Sequence, residues 1–133
     1  MVPSPPLLDF AQLQQIANAH ARAACPGCAA LVCPGWETLS ATFDRGNLRR
    51  LGTLRDPAID DPTLQEFHPA GTTHWSPDAP IAPAFFPYNR CEAWACVRCS
   101  RPFLRYTEYG GYYEEERIRD LDPRLLVDAA PQR

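Results

Sequence analysis

The chain has 133 residues, fifteen prolines and a net charge of −3, and all thirteen of its basic residues are arginine. One domain with a modest hydrophobic core is the simplest organisation for this length. The acidic balance counts against a nucleic-acid partner, because a generic nucleic-acid-binding protein is basic.

The sequence shows neither a membrane span nor an export signal. Its longest apolar stretches fall short of the roughly 20 residues that cross a bilayer. The N-terminus also lacks the basic and apolar regions of a secretory signal. Six cysteines in an unexported chain are expected to stay reduced, which favours metal binding over disulfides. We therefore expect a cytoplasmic protein that does not bind a membrane.

The first predicted element is an N-terminal helix. Residues 1–8 are rich in proline and are predicted to be a flexible lead-in. Asp9 and Gln12 have the spacing of a capping box, and apolar residues then recur at helical spacing. The sequence predicts a helix over 9–24 that the Cys25-Pro-Gly turn ends.

Two short elements are predicted next. The pattern of residues 36–43 fits either a strand or a helix, and the β-branched threonines among them favour the strand. Residues 44–52 are predicted to form a short helix with an aspartate at its N-terminus and a glycine at its end. A hairpin turn at 44–47 is the alternative.

Residues 56–90 form a proline-rich segment with almost no periodicity, which we call the strap. A structureless segment of this length is unusual in a compact domain unless it wraps the core or forms a binding loop. Its apolar side chains, among them Trp75, Ile81 and Phe85, are expected to anchor it. Disorder of the strap is the alternative that the sequence leaves open.

Residues 90–120 are predicted to hold the centre of the fold. Three runs of strand-forming residues, 90–95, 103–109 and 112–119, follow one another. Gly110-Gly111 predicts a hairpin turn between the last two. The sequence therefore predicts a three-stranded antiparallel sheet.

Two C-x-x-C motifs, Cys25-Pro-Gly-Cys28 and Cys96-Val-Arg-Cys99, supply four thiol groups. Each motif places two sulfurs on one tight turn, and zinc in structural sites prefers four tetrahedral thiolates. The interval between the motifs is much longer than the roughly 15–20 residues of a linear zinc motif, so the fold has to bring the turns together. The sequence predicts a structural zinc held by Cys25, Cys28, Cys96 and Cys99. The same four thiolates could also bind iron.

The remaining cysteines, Cys33 and Cys91, lie outside these motifs. Free cysteines often behave as small buried apolar residues. One alternative is that they replace a member of a C-x-x-C pair as metal ligands. Another is a metal-dependent enzyme in which Cys91 joins His68 and His74 of the strap around an open coordination position. Solvent-exposed loop histidines explain His68 and His74 more simply.

Tyrosines and arginines near the last hairpin suggest a further alternative. A sheet face that carries both residue types can stack the bases of single-stranded nucleic acid. Cross-strand aromatic pairs and Arg–Glu pairs explain the same side chains as structural contacts, which is the interpretation we favour. The residues concerned are Tyr106, Tyr109, Tyr112, Tyr113, Arg105, Arg117 and Arg119.

The segment Cys96–Arg119, taken with Cys25–Cys28, resembles zinc-ribbon proteins of the rubredoxin-like type. The resemblance covers about a third of the chain, and so broad a group implies no particular function. We expect one α+β domain over 1–133, with an N-terminal helix, a three-stranded antiparallel sheet, the strap and one structural zinc. We expect it to act as a non-enzymatic adaptor or regulatory module that binds another macromolecule, most simply a protein.

Overall fold

The backbone is built around a five-stranded antiparallel sheet. The computed structural model describes residues 5–19 and 24–131. Within these residues the helix is α1 (Phe10–Asn18), and the strands are β1 (Glu37–Thr38), β2 (Leu48–Thr53), β3 (Glu92–Cys96), β4 (Pro102–Tyr109) and β5 (Glu114–Asp120). The strand order is β1-β5-β4-β3-β2. The described part of the chain is therefore mostly β.

The expectation of a three-stranded sheet is wrong, because β1 and β2 extend it at both edges. The sequence predicts a short helix over 44–52, but the residues of β2 pair with β3 instead. Asp44 does cap a turn, since its side chain accepts a hydrogen bond from the Gly46 amide, but this is a single 3₁₀ turn, Arg45–Asn47. Local propensity is a weak bias, and pairing with the open edge of β3 outweighs it.

Helix α1 begins at the capping box that the sequence predicts. The Asp9 side chain accepts a hydrogen bond from the Gln12 amide, and the Gln12 side chain accepts one from the Asp9 amide. The helix ends at Asn18 with Ala19 as its C-cap, earlier than predicted, and residues 20–23 lie outside the described part. None of the described helical residues form a segment long and apolar enough to cross a membrane.

The predicted C-terminal hairpin is confirmed, with Gly110-Gly111 in the turn between β4 and β5. Side chains alternate across the sheet, so each strand contributes to two faces. One face carries Phe103 and Ile118, and the opposite face carries Leu104 and Tyr106. We call the first the knuckle face and the second the strap face.

Each face has its own hydrophobic core. The strap core, which includes residues of α1 and the strap, consists of Leu13, Ala17, Trp36, Leu54, Ile81, Tyr88, Cys91, Ala93, Leu104, Tyr106 and Leu121. The knuckle core consists of Cys28, Leu31, Leu39, Leu48, Cys96, Phe103 and Ile118. The strap contributes fully buried side chains to its core, so it is a layer of the structure.

The outer edge of β2 is paired at one point with the N-terminal segment. The Leu8 amide donates to the Thr53 carbonyl and the Thr53 amide donates to the Pro6 carbonyl, both at 2.9 Å. A Cβ atom on Gly52 would come within 2.7 Å of Leu8 and Pro6. Glycine is therefore needed at this position for the close approach of the two segments.

Candidate metal centre

The two C-x-x-C motifs lie together on the knuckle face. The first follows the N-terminal part of the chain and precedes a 3₁₀ turn, Ala29–Leu31, and the second begins at the end of β3. The structure brings together the four cysteines that the sequence predicts as one set. Their Sγ atoms all lie within 4.8 Å of one another, and we call Cys25, Cys28, Cys96 and Cys99 the cysteine cluster.

The distances within the cluster fit a tetrahedral metal ion. Cys25 Sγ lies 3.9 Å from Cys28 Sγ and 3.5 Å from Cys96 Sγ, and Cys28 Sγ lies 3.6 Å from Cys99 Sγ. Tetrahedral zinc with bonds of about 2.3 Å to sulfur places its ligands about 3.8 Å apart. All four thiols are free, and a disulfide would need a separation of about 2.05 Å. The donor set therefore fits zinc, and iron in a four-thiolate site as well.

Backbone hydrogen bonds shape each of the two turns. In the first turn, the Cys28 and Ala29 amides both donate to the Cys25 carbonyl, at 3.1 and 2.9 Å. In the second, the Ser100 amide donates to the Cys96 carbonyl at 2.9 Å, and Ser100 has a positive φ of 68°. Each turn thus orients its two thiols toward the same site.

Burial and hydrogen bonding set the ionisation of the thiols. Cys28 and Cys96 are fully buried, whereas Cys25 and Cys99 are partly exposed. Burial raises the pKa of Cys28 to about 12. Burial acts in the same direction on Cys25, but hydrogen bonds from Cys96 and the Gly27 backbone outweigh it and lower the pKa of Cys25 to about 7. A bound cation is what would allow all four groups to ionise together.

Two arginines lie beside the cluster. A Cβ atom on Gly27 would lie 2.9 Å from Arg98 Cδ, so the glycine leaves room for this side chain next to the first turn. Arg101 is near enough to Cys28 and Cys99 to interact with them electrostatically, and it donates two hydrogen bonds to the Asp120 carboxylate, both at 2.9 Å. A metal ion with four thiolates carries net negative charge, and nearby guanidinium groups favour that state.

The two remaining cysteines lie apart from the cluster. Cys91 is fully buried in the strap core, where its Sγ donates to the Pro87 carbonyl at 3.3 Å and burial raises its pKa. The Cys33 Sγ donates to the Leu31 carbonyl at 3.3 Å, and burial raises the pKa of this thiol to about 11. Cys91 is thus a fully buried thiol and Cys33 a partly buried one. Among the described residues, neither belongs to a group of side chains that could hold a metal ion.

The strap histidines share a carboxylate. His68 Nε2 lies 2.8 Å from Glu66 Oε1, and His74 Nδ1 lies 3.7 Å from the same oxygen. The second nitrogen of His74 lies 3.2 Å from the Tyr106 hydroxyl. Across residues 5–19 and 24–131, these histidines and Cys91 do not form a group of metal-ligand geometry. The histidines therefore belong to a hydrogen-bonded network on the strap face.

The tyrosines and arginines of the last hairpin do not share one face. Tyr106, Arg117 and Arg119 are buried on the strap face, where Arg119 bonds to a tyrosine hydroxyl and to backbone carbonyls. Arg105 points to the opposite face and pairs with a glutamate. Tyr112 is fully exposed at the hairpin turn. Because neighbouring residues of a strand point to opposite faces, the sequence could have placed Arg105 and Tyr106 on different faces. It gives no sign that Arg117 and Arg119 are buried.

Comparison of the chain with protein-family models, with curated proteins and with solved structures gives no match. The fold and the site together define a mostly β domain with a four-cysteine cluster, compatible with a zinc-ribbon-like site. The resemblance to zinc ribbons rests on these cysteines and their geometry.

Proposed function

We propose that this protein is a non-enzymatic, zinc-stabilised adaptor or regulatory module that binds another protein. The observation that carries the proposal is the set of four sulfur atoms within 4.8 Å of one another. Four thiolates complete the tetrahedral coordination of zinc and leave no position for water or substrate. That arrangement is typical of structural sites, and a cytoplasmic location would keep the thiols reduced.

A zinc ion would join two segments that are distant in the sequence. Cys25 and Cys96 are 71 positions apart. Closing a loop of this length costs conformational entropy, which the metal–sulfur bonds would offset. The knuckle core beside the cluster is the smaller of the two cores. Zinc would therefore stabilise the side of the sheet where apolar burial contributes less.

Exposed aromatic side chains support a protein partner. Tyr112 is fully exposed, Tyr109 is 74% exposed and Trp75 is 54% exposed. Tyrosine and tryptophan are enriched in protein interfaces, where they provide much of the binding energy. Nucleic-acid binding has less support, because the net charge is −3 and two of the three arginines considered for it are buried.

Metal analysis of purified protein tests the structural part of the proposal. We expect about one zinc per chain, and we expect strong chelation to unfold the protein, seen as a loss of near-ultraviolet circular dichroism. Readdition of zinc should restore the signal. Protein that holds no stoichiometric zinc or iron, or that keeps its thermal midpoint after complete metal removal, would contradict the structural role.

The adaptor part is tested separately with zinc-loaded and chelated protein as paired baits in nuclease-treated extracts. A specific protein that binds only the zinc-loaded form is expected. Retention of nucleic acid in untreated extracts, with no protein retained after nuclease treatment, would instead favour the nucleic-acid alternative.

A further inference from the structure

A groove of about 660 Å³ lies where the N-terminal segment, the strap and the C-terminal tail meet. This volume is within the range of roughly 300–1,000 Å³ that is usual for ligand clefts. Apolar side chains from all three segments line the groove, among them Leu7, Phe10, Ile59, Pro83 and Pro131, together with Leu54, which directly follows β2. The groove lies away from the cysteine cluster and shares no residue with it.

Two of the groove's large apolar side chains are exposed. Leu7 is 45% exposed and Ile59 is 50% exposed, whereas Leu54, which lines the same groove, is buried. Exposed apolar side chains around a concave surface mark an interaction site more often than singly scattered ones do. An apolar group that enters the groove would cover both of them.

The charges at the groove are mainly negative. Among the described residues, three carboxylates line it, from Asp9, Asp56 and Asp128, against one guanidinium from Arg55. Arg55 NH1 donates to the carbonyls of Asp56 and Ile59. Asp9 and Asp56 each accept one backbone hydrogen bond, from Gln12 and Ala58, so all the charges remain and their sum is negative. Complementary charge steers and selects partners at such surfaces, so an occupant should carry positive charge.

We propose that this groove binds a segment of a partner protein in which a large apolar side chain is flanked by lysine or arginine. The inference rests on the proposed protein-binding function and names the class of partner. The apolar walls receive the central side chain, and the carboxylates of Asp9, Asp56 and Asp128 face the flanking cations. Acidic or purely apolar segments fit the same surface less well.

Selection from a random peptide library displayed on phage, with the full zinc-loaded chain as target, tests this proposal. We expect enrichment of peptides with leucine, phenylalanine or tryptophan between basic residues. The most enriched peptide is then synthesised with a fluorescent label, and its affinity is measured by anisotropy. The affinity should fall as salt is raised, since opposite charges face each other across the groove.

Two variants in the groove and one matched control locate the binding. Ile59→Arg and Asp128→Lys are each expected to weaken binding of the labelled peptide at least about tenfold. Leu64→Arg makes the same kind of change at a strap residue that is 70% exposed and lies outside the groove. It should change the affinity less than about twofold. Zinc content and thermal midpoint are measured for all three, so that misfolded variants are recognised.

The possible failures are distinguishable. Enriched peptides whose binding survives Ile59→Arg and Asp128→Lys would leave the adaptor function intact and overturn the groove as its site. Enrichment of acidic peptides, binding of a lipid at the groove, or a dimer that Ile59→Arg dissociates would overturn the proposed partner class. No enrichment of any peptide, together with no protein captured by the zinc-loaded bait, would overturn both the groove and the adaptor function.

Discussion

The two faces of the sheet differ in what stabilises them. On the strap face, Trp36 packs its ring 4.8 Å from the Tyr106 ring and 5.7 Å from the Tyr88 ring, measured between centroids. On the knuckle face, the core is smaller and two of its buried residues are Cys28 and Cys96. The strap face is therefore stabilised by the packing of its side chains, which needs no metal ion. The other side, in our proposal, depends on a metal ion.

Removal of one thiolate is expected to have the largest effect. Cys96→Ser takes away a buried ligand of the proposed zinc site, and structural zinc is worth about 10–16 kcal/mol in zinc-finger peptides, comparable to the whole stability of a domain. We expect the variant to lose its zinc and its cooperative unfolding transition, measured by metal analysis and circular dichroism.

Cys33→Ser is the matched control, because Cys33 is a partly exposed thiol outside the cluster. It should keep both zinc and the unfolding transition. A Cys96→Ser protein with unchanged melting would show that the knuckle face, like the strap face, is stable without the metal.

A buried arginine on the strap face should give the next largest effect. Arg119 is 1% exposed, and its guanidinium donates to the Tyr88 hydroxyl at 2.6 Å and to the Ala79 carbonyl at 2.9 Å. Arg119→Met keeps an apolar stem but leaves these acceptors without a donor, at about 1–3 kcal/mol for each unpaired group. We expect a loss of about 2–4 kcal/mol in the free energy of unfolding.

Urea unfolding of zinc-loaded protein measures this loss, and Arg124→Met serves as the control. The Arg124 side chain is 73% exposed and pairs with Asp122, so its replacement should change stability by less than about 0.5 kcal/mol. If Arg119→Met keeps its zinc, the strap face can lose stability without disturbing the metal site on the knuckle face. Equal stability of Arg119→Met and the wild type would mean that this network does not stabilise the strap face.

The cysteine cluster and the last hairpin could be predicted because their signals are local. A C-x-x-C spacing places two thiols on one turn whatever the rest of the chain does. Gly110-Gly111 between two strand-forming runs likewise specifies its turn at close range. The capping box of Asp9 and Gln12 predicts the start of α1 in the same way. These features need no information from distant residues.

The rest depends on contacts between distant residues. β2 forms at the open edge of β3, which lies far along the sequence, so its own propensity is a poor guide. The burial of Arg119 depends on acceptors that the strap provides, Tyr88 and Ala79. Arginine is rarely buried, and the sequence of β5 alone does not distinguish it from an exposed residue.

A titratable group gives the strap face a pH dependence of its own. Burial lowers the pKa of His74 below its ordinary value of about 6.5, although the carboxylate of Glu66 acts in the opposite direction. The unfolded chain therefore binds a proton at this residue at a higher pH than the folded chain does. The stability contributed by neutral His74 is complete above about pH 6.5 and is lost as pH falls through the folded pKa.

His74→Phe should remove this part of the pH dependence and keep a ring of similar shape against Trp36. The free energy of unfolding of both proteins is measured by urea titration on either side of about pH 6.5, with zinc content followed in parallel. The difference between the proteins should grow in favour of the variant as pH falls. A difference that is independent of pH would mean that His74 does not titrate differently in the folded state.

The smallest effect is expected at the hairpin turn, which belongs to neither core. Tyr112 is fully exposed, so Tyr112→Ser removes no buried area and should change the free energy of unfolding by less than about 0.5 kcal/mol. Tyr106→Ser makes the same substitution at a residue that is 5% exposed in the strap core, and it should cost several times more. A comparable loss from both variants would mean that the turn packs against the protein as the strands do. Urea unfolding of the two zinc-loaded variants, side by side, decides between a turn that only joins β4 to β5 and a turn that stabilises the sheet.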